Sequence, residues 1–337
     1  MELRRICIFG AGAVGGHLAA KFAAAGLEVS AVARGPNLAA LQRGGIALRE
    51  GERSYAGRVR ASENAAELGA QDAVFVTTKA TALAALENAA RPLCHPDTLF
   101  VFVQNGIPWW YAQGIDGGPH AGRPRPPDLS PLDPGGVLAR AIAPERVIGA
   151  VVYSSNNLDR PGEVTNFSVG RNMLVVGETD DRQSPRIAAL RALLGAVGLY
   201  SPEAPDLRAA VWDKLLLNFG SALCVPLGEP IGALSEDPRL RGARERLSAE
   251  GLAIAHAHGV RPADAPRRLG GVQAAGATQH KPSMLQDYEL GRPMEVEAIL
   301  AMPCAFARAA GVEAPALEQL AAVTARLAAR KGLYSPP

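Results

Sequence analysis

The sequence predicts an α/β fold in which a parallel sheet flanked by helices is followed by a second, all-helical part. Three observations carry this. A glycine-spaced turn near the start lies between a buried-type apolar run and an alanine-rich helical run. Short apolar runs suited to strands then alternate with helical runs as far as residue 197. From residue 206 onward the apolar residues recur at helical spacing and strand-like runs cease. The 337 residues suit two domains at roughly 100–200 residues each, and 48% hydrophobic residues supply their cores. The expected division is 1–203 and 204–337.

The first turn reads I-C-I-F-G-A-G-A-V-G-G, with Gly10, Gly12 and Gly15 in the G-x-G-x-x-G spacing. Residues 6–9 are a strand, 13–25 a helix, Gly26 a stop and 27–33 a second strand, which completes a βαβ unit. Gly10 permits the sharp turn, Gly12 lets backbone approach a pyrophosphate, and Gly15 lets helix and strand pack closely. The phosphate would sit on the helix N-terminus. Gly10, Gly12, Ala13 and Gly15 are therefore candidate cofactor-binding residues of a Rossmann-like domain; the alternative is an ordinary glycine-rich turn. An NAD-preferring site places an acid at the end of the second strand, whereas residues 30–34 hold none and end in Arg34. That favours NADP, against a solvated surface arginine.

A short helix is expected at 38–43, a polar hairpin at 46–59, a short helix at 63–68 and a strand at 73–78. Lys79 follows that strand at the carboxyl edge of the sheet, where ligands bind. It is a candidate for the cofactor's ribose or phosphate, or a surface lysine. A helix at 81–90 and a strand at 98–103 lead to Gln104-Asn105-Gly106 at the same edge. Asn105 can hold a carboxamide or a substrate oxygen, or simply form an Asn-Gly turn. Residues 117–136 carry six prolines and read as an exposed, irregular insertion. A strand at 147–154, a hairpin of 163–169 with 172–177, and a helix at 184–197 complete this part.

Helices are expected at 206–224, 239–258, 293–310 and 315–331. Within V-W-D-K-L-L-L-N, Lys214 and Asn218 stand four apart on one helix face in an otherwise apolar run. Such a lysine could give a proton to a carbonyl oxygen that the asparagine holds, or belong to a salt-bridged surface. In H-K-P-S-M-L-Q-D, Ser283 reads first as a helix cap, and Glu295 as a first-turn glutamate.

A formal net charge of +2 gives no basic field for nucleic acid, and the partner expected is a small molecule. Cys7, Cys94, Cys224 and Cys304 lie far apart without zinc spacing, and His256 and His258 do not share a helix face, so no metal is expected. The start imitates a secretory signal, but glycines, His17 and Lys21 interrupt its apolar run and its removal would destroy the βαβ unit. No charge-free run of about 18 apolar residues exists, so no membrane span is expected. The expected location is cytoplasmic.

At these residues the sequence resembles the ketopantoate reductases (2-dehydropantoate 2-reductases) over nearly its whole length. The resemblance rests on G-A-G-A-V-G-G, V-A-R ending at Arg34, T-T-K at Lys79, Q-N-G at Asn105, W-D-K-L-L-L-N across Lys214 and Asn218, and K-P-S-M-L-Q-D, with Glu295 twelve residues after Ser283. It implies a Rossmann-like N-terminal domain, an all-helical C-terminal domain and an active site between them. The implied reaction is NADPH-dependent reduction of a 2-oxo acid to a 2-hydroxy acid, with 2-dehydropantoate to pantoate, a step of pantothenate biosynthesis, the leading case. Carried over by position, Lys214 is similar to the family's general acid and Glu295 to its acidic partner. Asn105, Asn218 and Ser283 resemble the substrate-holding groups, and Arg34 and Lys79 the contacts to the adenosine end of NADP. A homodimer is a candidate assembly.

Three departures bear on the substrate. Ala222 stands where the family usually has a second asparagine, the bulky run I-P-W-W-Y follows Gly106, and the Pro-rich insertion comes directly after it. Trp109 and Trp110 could wall a pocket or pack at a domain edge. The competing readings are a reductase of another oxo acid or an imine, and a non-catalytic NADP-binding sensor whose Pro-rich loop docks a partner.

Overall fold

The computed structural model describes residues 3–263 and 280–336. The chain divides into two compact units, Met1–Gln104 with Gly135–Leu207, and Asn105–Pro134 with Arg208–Pro337. This corrects the expected assignment of the Pro-rich stretch to the sheet-bearing part, because residues 105–134 group with the helices instead. Buried Arg208 donates to the carbonyls of Tyr111 and Gln113, both at 2.7 Å, and Trp212 donates through Nε1 to the Tyr111 hydroxyl at 2.9 Å. Such bonds span about a hundred residues and leave no trace in local composition.

The first unit holds eleven strands. The first five are β1 (Arg5–Phe9), β2 (Glu28–Val32), β3 (Ile46–Glu50), β4 (Arg53–Gly57) and β5 (Arg60–Ser62). They are followed by β6 (Ala73–Val76), β7 (Leu99–Val103), β8 (Val147–Tyr153), β9 (Asn156–Arg160), β10 (Glu163–Asn166) and β11 (Met173–Glu178). Seven of them form one sheet in the order β11-β8-β7-β6-β1-β2-β5, parallel except for β11 against β8. The order reverses direction between β1 and β6, and that switch point is where open α/β sheets bind ligands. Its central strands β6 and β7 are buried along their whole length, as strands covered on both faces must be.

The other four strands make a second sheet, β4-β3-β10-β9. Between the two sheets lies helix α1 (Ala13–Ala24), which packs on β1 and β2 on one side and on β3, β4 and β10 on the other. Residues Gly15 through Phe22 of this helix are all buried, so it cannot keep a polar stripe for solvent. The expected hairpin of 163–169 with 172–177 is not formed. β10 pairs antiparallel with β9 and parallel with β3, while β11 pairs with β8 in the larger sheet. The missed strand β9 reads N-N-L-D-R, too polar to signal itself, and it takes the partner that the sequence assigned to β11.

Helix α1 carries Lys21 and His17 inward. Lys21 donates to Glu50 of β3 with both side chains buried, and its ammonium stands 4.0 Å over the Tyr55 ring. Asn172 donates to the other Glu50 oxygen at 2.6 Å, and Asn166 and Asn172 exchange bonds of 2.8 and 3.0 Å. Breaking one partner of such a pair leaves a buried charge and costs about 3–5 kcal/mol.

In the second unit the helices are Leu207–Ala222, Cys224–Leu227, Ala233–Glu236, Pro238–Ala257, Ser283–Glu289, Met302–Ala309 and Pro315–Arg330, with a π-helical turn at Glu297–Ala301. An aromatic cluster forms its core, with Phe306 centred 5.2 Å from Tyr111, 5.6 Å from Trp212 and 4.8 Å from His258. The helix expected at 293–310 begins only at Val296. Pro293 has no N–H to give, and the Met294 N–H is directed to the Leu333 carbonyl at 2.9 Å instead of into a helix. The stretch Leu207–Leu227 is long and apolar enough to cross a bilayer by length and composition, and 56% of its apolar window is buried in the protein, as in a core helix.

The buried pair and its neighbour make stability depend on pH. Burial, reinforced by the Lys21 charge, pulls the His17 imidazole from 6.5 down to about 4. Burial alone would raise the Glu50 carboxyl, but the Lys21 bonds outweigh it and hold it below its ordinary value. Both groups are depressed in the folded chain, so the unfolded chain takes up protons first and stability falls with pH. His17 acts below pH 6.5 and Glu50 below 4.5. Between pH 7 and 5 the His17 contribution falls by about 2 kcal/mol. Urea denaturation at the two pH values is expected to show that loss, and His17→Gln to remove it.

Candidate functional site

The first unit builds a phosphate-sized cradle from backbone. At the end of β1 the Phe9 carbonyl accepts from Thr77 and Thr78 N–H at 2.9 and 3.1 Å, which ties the turn to the end of β6. Gly10 then takes φ +100°, a conformation side chains resist, and a Cβ there would stand 2.5 Å from the Thr78 methyl. Gly15 leaves no room either, since a Cβ would lie 2.3 Å from the Gly10 carbonyl oxygen. Gly12 differs. It is exposed, it begins helix α1 without a side-chain cap, and nothing lies within 4 Å of where a Cβ would stand. With no acid in the first turn, the open N–H groups and the helix dipole face an unobstructed space beside Ala13.

Three side chains that sequence reasoning did not select hold this cradle. Thr77 Oγ1 donates to the Gly10 carbonyl at 2.7 Å, and Asn37 Nδ2 donates to the Ala11 carbonyl at 2.6 Å. Gln104 Nε2 donates to the carbonyls of Val76 and Thr78 at 2.7 and 3.1 Å, joining β7 to the end of β6. The signal was present, because each stands within three residues of one that was chosen. Arg34 is exposed at the end of β2, opening the helix Gly35–Gly44, and Lys79 is half-buried at the start of a 3₁₀ turn, Ala80–Ala85.

The second unit gathers the remaining candidates. Lys214 and Asn218 lie one turn apart on Leu207–Ala222, half-buried beside Trp212, Leu215 and Phe219, which are fully buried. Burial pulls the Lys214 ammonium from 10.5 down to about 8. The Asn218 amide nitrogen is buried and finds no hydrogen-bond partner among the described residues. His280 lies within electrostatic reach of Lys214, and burial first, then that charge, lowers its imidazole. The His280 carbonyl accepts from Ile231 N–H at 3.0 Å, which fixes the approach to Ser283.

Ser283 is not a cap. Pro282 holds the cap position, no side-chain cap bond is made, and Ser283 is exposed at the first helical residue. Glu295 is 8% exposed, and its carbonyl accepts from Ile299 N–H at 3.1 Å across the start of the π-helical turn. Asn105 comes to the same turn. Gly106, at φ +85°, approaches Ala298 so closely that a Cβ would stand 2.5 Å from its carbonyl group, and Ile107 N–H donates to the Ala298 carbonyl at 2.8 Å. Trp109 and Trp110 are 8% and 1% exposed, and Ala222 is 1% exposed.

Residues 6–108 match the family described as Ketopantoate reductase PanE/ApbA, and residues 206–328 match Ketopantoate reductase PanE/ApbA C terminal. A 2-dehydropantoate 2-reductase of Mesorhizobium japonicum is 39% identical over 98% of this chain and 100% of its own. The chain belongs to the ketopantoate reductase family. It is thus an oxidoreductase of a nicotinamide-dependent family. A solved structure from Ralstonia solanacearum MolK2, assigned as a ketopantoate reductase, is 35% identical with a TM-score of 0.83, covering 99% of this chain and 100% of that one. D-mandelate dehydrogenase, solved with NADH and anilino(oxo)acetate, is 18% identical with a TM-score of 0.78, covering 98% and 99%, a likeness of fold.

The cradle fits the dinucleotide this family uses, on the observation that Gly12 leaves open the one place at the uncapped helix N-terminus where a side chain would obstruct a phosphate. Gly12→Ala is expected to fold with an unchanged melting temperature, since φ −75° suits alanine, yet to weaken dinucleotide binding roughly tenfold. Gly15→Ala is expected to lose about 1–3 kcal/mol of stability by overpacking. Thermal denaturation beside a titration of nicotinamide fluorescence separates the two.

Proposed function

We propose that this chain is an NADPH-dependent reductase of 2-oxo acids, with 2-dehydropantoate its leading substrate and pantoate the product. The observation that carries the reading is the dehydrated Lys214 ammonium, brought down to about 8, one turn from the unpartnered Asn218 amide. A proton donor whose pKa lies near the working pH is what a general acid requires. When bound, NADPH supplies the hydride that goes to the carbonyl carbon.

Lys214 Nζ gives its proton to the carbonyl oxygen as negative charge develops there, so that hydride and proton together make the alcohol. Asn218 donates its amide hydrogen to the same oxygen or to the neighbouring carboxylate, and this accounts for a buried donor left open in the protein. Glu295, an acid kept from solvent, is the partner that favours the protonated lysine and accepts from the substrate's hydroxyl. Asn105 and the uncommitted Ser283 hydroxyl hold the substrate's remaining oxygens. Arg34 pairs with the 2′-phosphate of NADPH and Lys79 with its ribose or phosphate, while Gly10, Gly12, Ala13 and Gly15 form the pyrophosphate turn.

Ala222 favours one variation on this reading. It places a buried methyl group one turn beyond Asn218, which suits an oxo acid with fewer hydroxyls than 2-dehydropantoate. NADPH consumption measured across a panel of 2-oxo acids decides between them, and no consumption with any member, alongside tight NADPH binding, would leave the non-catalytic sensor.

Lys214→Ala is expected to lower kcat by about 10²–10⁴-fold with the KM for NADPH little changed. In the unaltered enzyme the donor must be protonated, so activity is expected to fall as pH rises through about 8. Steady-state pH profiles test this, and near-normal turnover of the alanine variant would remove Lys214 from the chemistry. Arg34→Ala is expected to weaken NADPH binding roughly tenfold or more while sparing NADH, since a charge-assisted bond contributes about 1.5–3 kcal/mol. Equal losses for the two cofactors would make Arg34 a structural residue.

A further inference from the structure

The stretch that carries Glu295 has no regular structure to fix it. Residues 292–295 are outside any helix, and the residues that follow form a π-helical turn, Glu297–Ala301, whose register is not imposed by an α-helical ladder. A carboxylate that must be placed within a fraction of an ångström therefore depends on contacts from elsewhere.

Those contacts come from the residues after the helix Pro315–Arg330. The Leu333 carbonyl accepts from Met294 N–H at 2.9 Å, one residue before Glu295. The Tyr334 hydroxyl donates to Glu297 Oε2 at 2.6 Å, two residues after it. Lys331 adds a third tie, donating to the Tyr288 carbonyl at 3.2 Å with its ammonium 3.9 Å over the Tyr288 ring. The strap itself is anchored. Leu333 is buried, and its N–H closes the preceding helix on the Ala328 carbonyl at 2.9 Å. Tyr334 is thus presented from a fixed turn.

We propose that Tyr334 is a positioning residue for the reduction, which by bonding Glu297 fixes the π-helical turn and with it the Glu295 carboxylate. This rests on the reading of Glu295 as the acidic partner of Lys214. Burial, then the bond to Glu297 and its charge, raise the Tyr334 phenol above its ordinary value, so the hydroxyl keeps its proton and the bond persists across the range in which Lys214 titrates.

Tyr334→Phe removes a single oxygen. It is expected to lower kcat for the 2-oxo acid roughly tenfold, with the KM for NADPH unchanged, because misplacing a reacting group costs turnover more than cofactor affinity. Glu297→Met breaks the same bond from the other end, is expected to give the same loss, and decides the matter if the first variant does not fold. In a Glu295→Gln background neither change should lower kcat further, since both act through that carboxylate. A merely structural bond would instead multiply its loss in full onto that of Glu295→Gln, and this, or a near-normal kcat in Tyr334→Phe, overturns the proposal. Unimpaired turnover in Glu295→Gln alone overturns the reading of Glu295 and the proposal with it. The two failures are distinguishable, because that variant leaves the Tyr334 bond to Glu297 in place.

Discussion

The ion pair of Lys21 with Glu50 is the interaction on which the first unit depends. A helix that opens on a glycine turn and is then covered by sheets on both faces cannot send its charged residues to solvent. Lys21 must be matched inside, and the match comes from β3 of the smaller sheet. The same carboxylate takes a bond from Asn172, which is bonded in turn to Asn166 of β10. One buried carboxylate therefore holds helix α1 against its second cover, and through the helix it holds the turn at Gly10–Gly12 in place. The pair adds little stability relative to an apolar replacement, but losing either member would be severe.

In the second unit burial is put to another use. Lys21 and Lys214 both stand in low-dielectric surroundings on helices, but Glu50 closes directly on Lys21, whereas dehydration brings the Lys214 ammonium down toward the pH at which a proton is readily given up. Desolvation thus works toward cohesion in one unit and toward reactivity in the other.

Much of this was legible in the chain. The strand, glycine turn and helix at the start were readable because each signal is local: apolar run, glycine spacing, alanine-rich run. Lys214 and Asn218 were readable for the same reason, as two polar residues on one face of an apolar helix. What was not legible depends on distant partners. The polar strand β9 exists because β10 offers it an edge, and residues 163–177 look like a hairpin until two sheets compete for them. The late start of the helix after Glu295 follows from a bond between Met294 and Leu333. The grouping of residues 105–134 with the helices follows from Arg208, Trp212 and Ala298. Thr77 and Gln104 work through backbone carbonyls, which no side-chain motif records.

The parallel pairing of β3 with β10 joins segments 116 residues apart, as the Arg49 bond to Thr165 marks. At a synthesis rate of roughly 5–20 residues per second, about ten seconds separate the emergence of these two strands. Throughout that interval helix α1 has its larger sheet forming on one side and only the β3–β4 hairpin available on the other. The apolar face that β10 will cover stays open, and Glu50 waits for Asn172. A nascent chain of this protein thus passes through a stage in which its nucleotide-binding turn can already be shaped while the helix behind it is still half uncovered. This is the stage at which it would most need shielding from its neighbours.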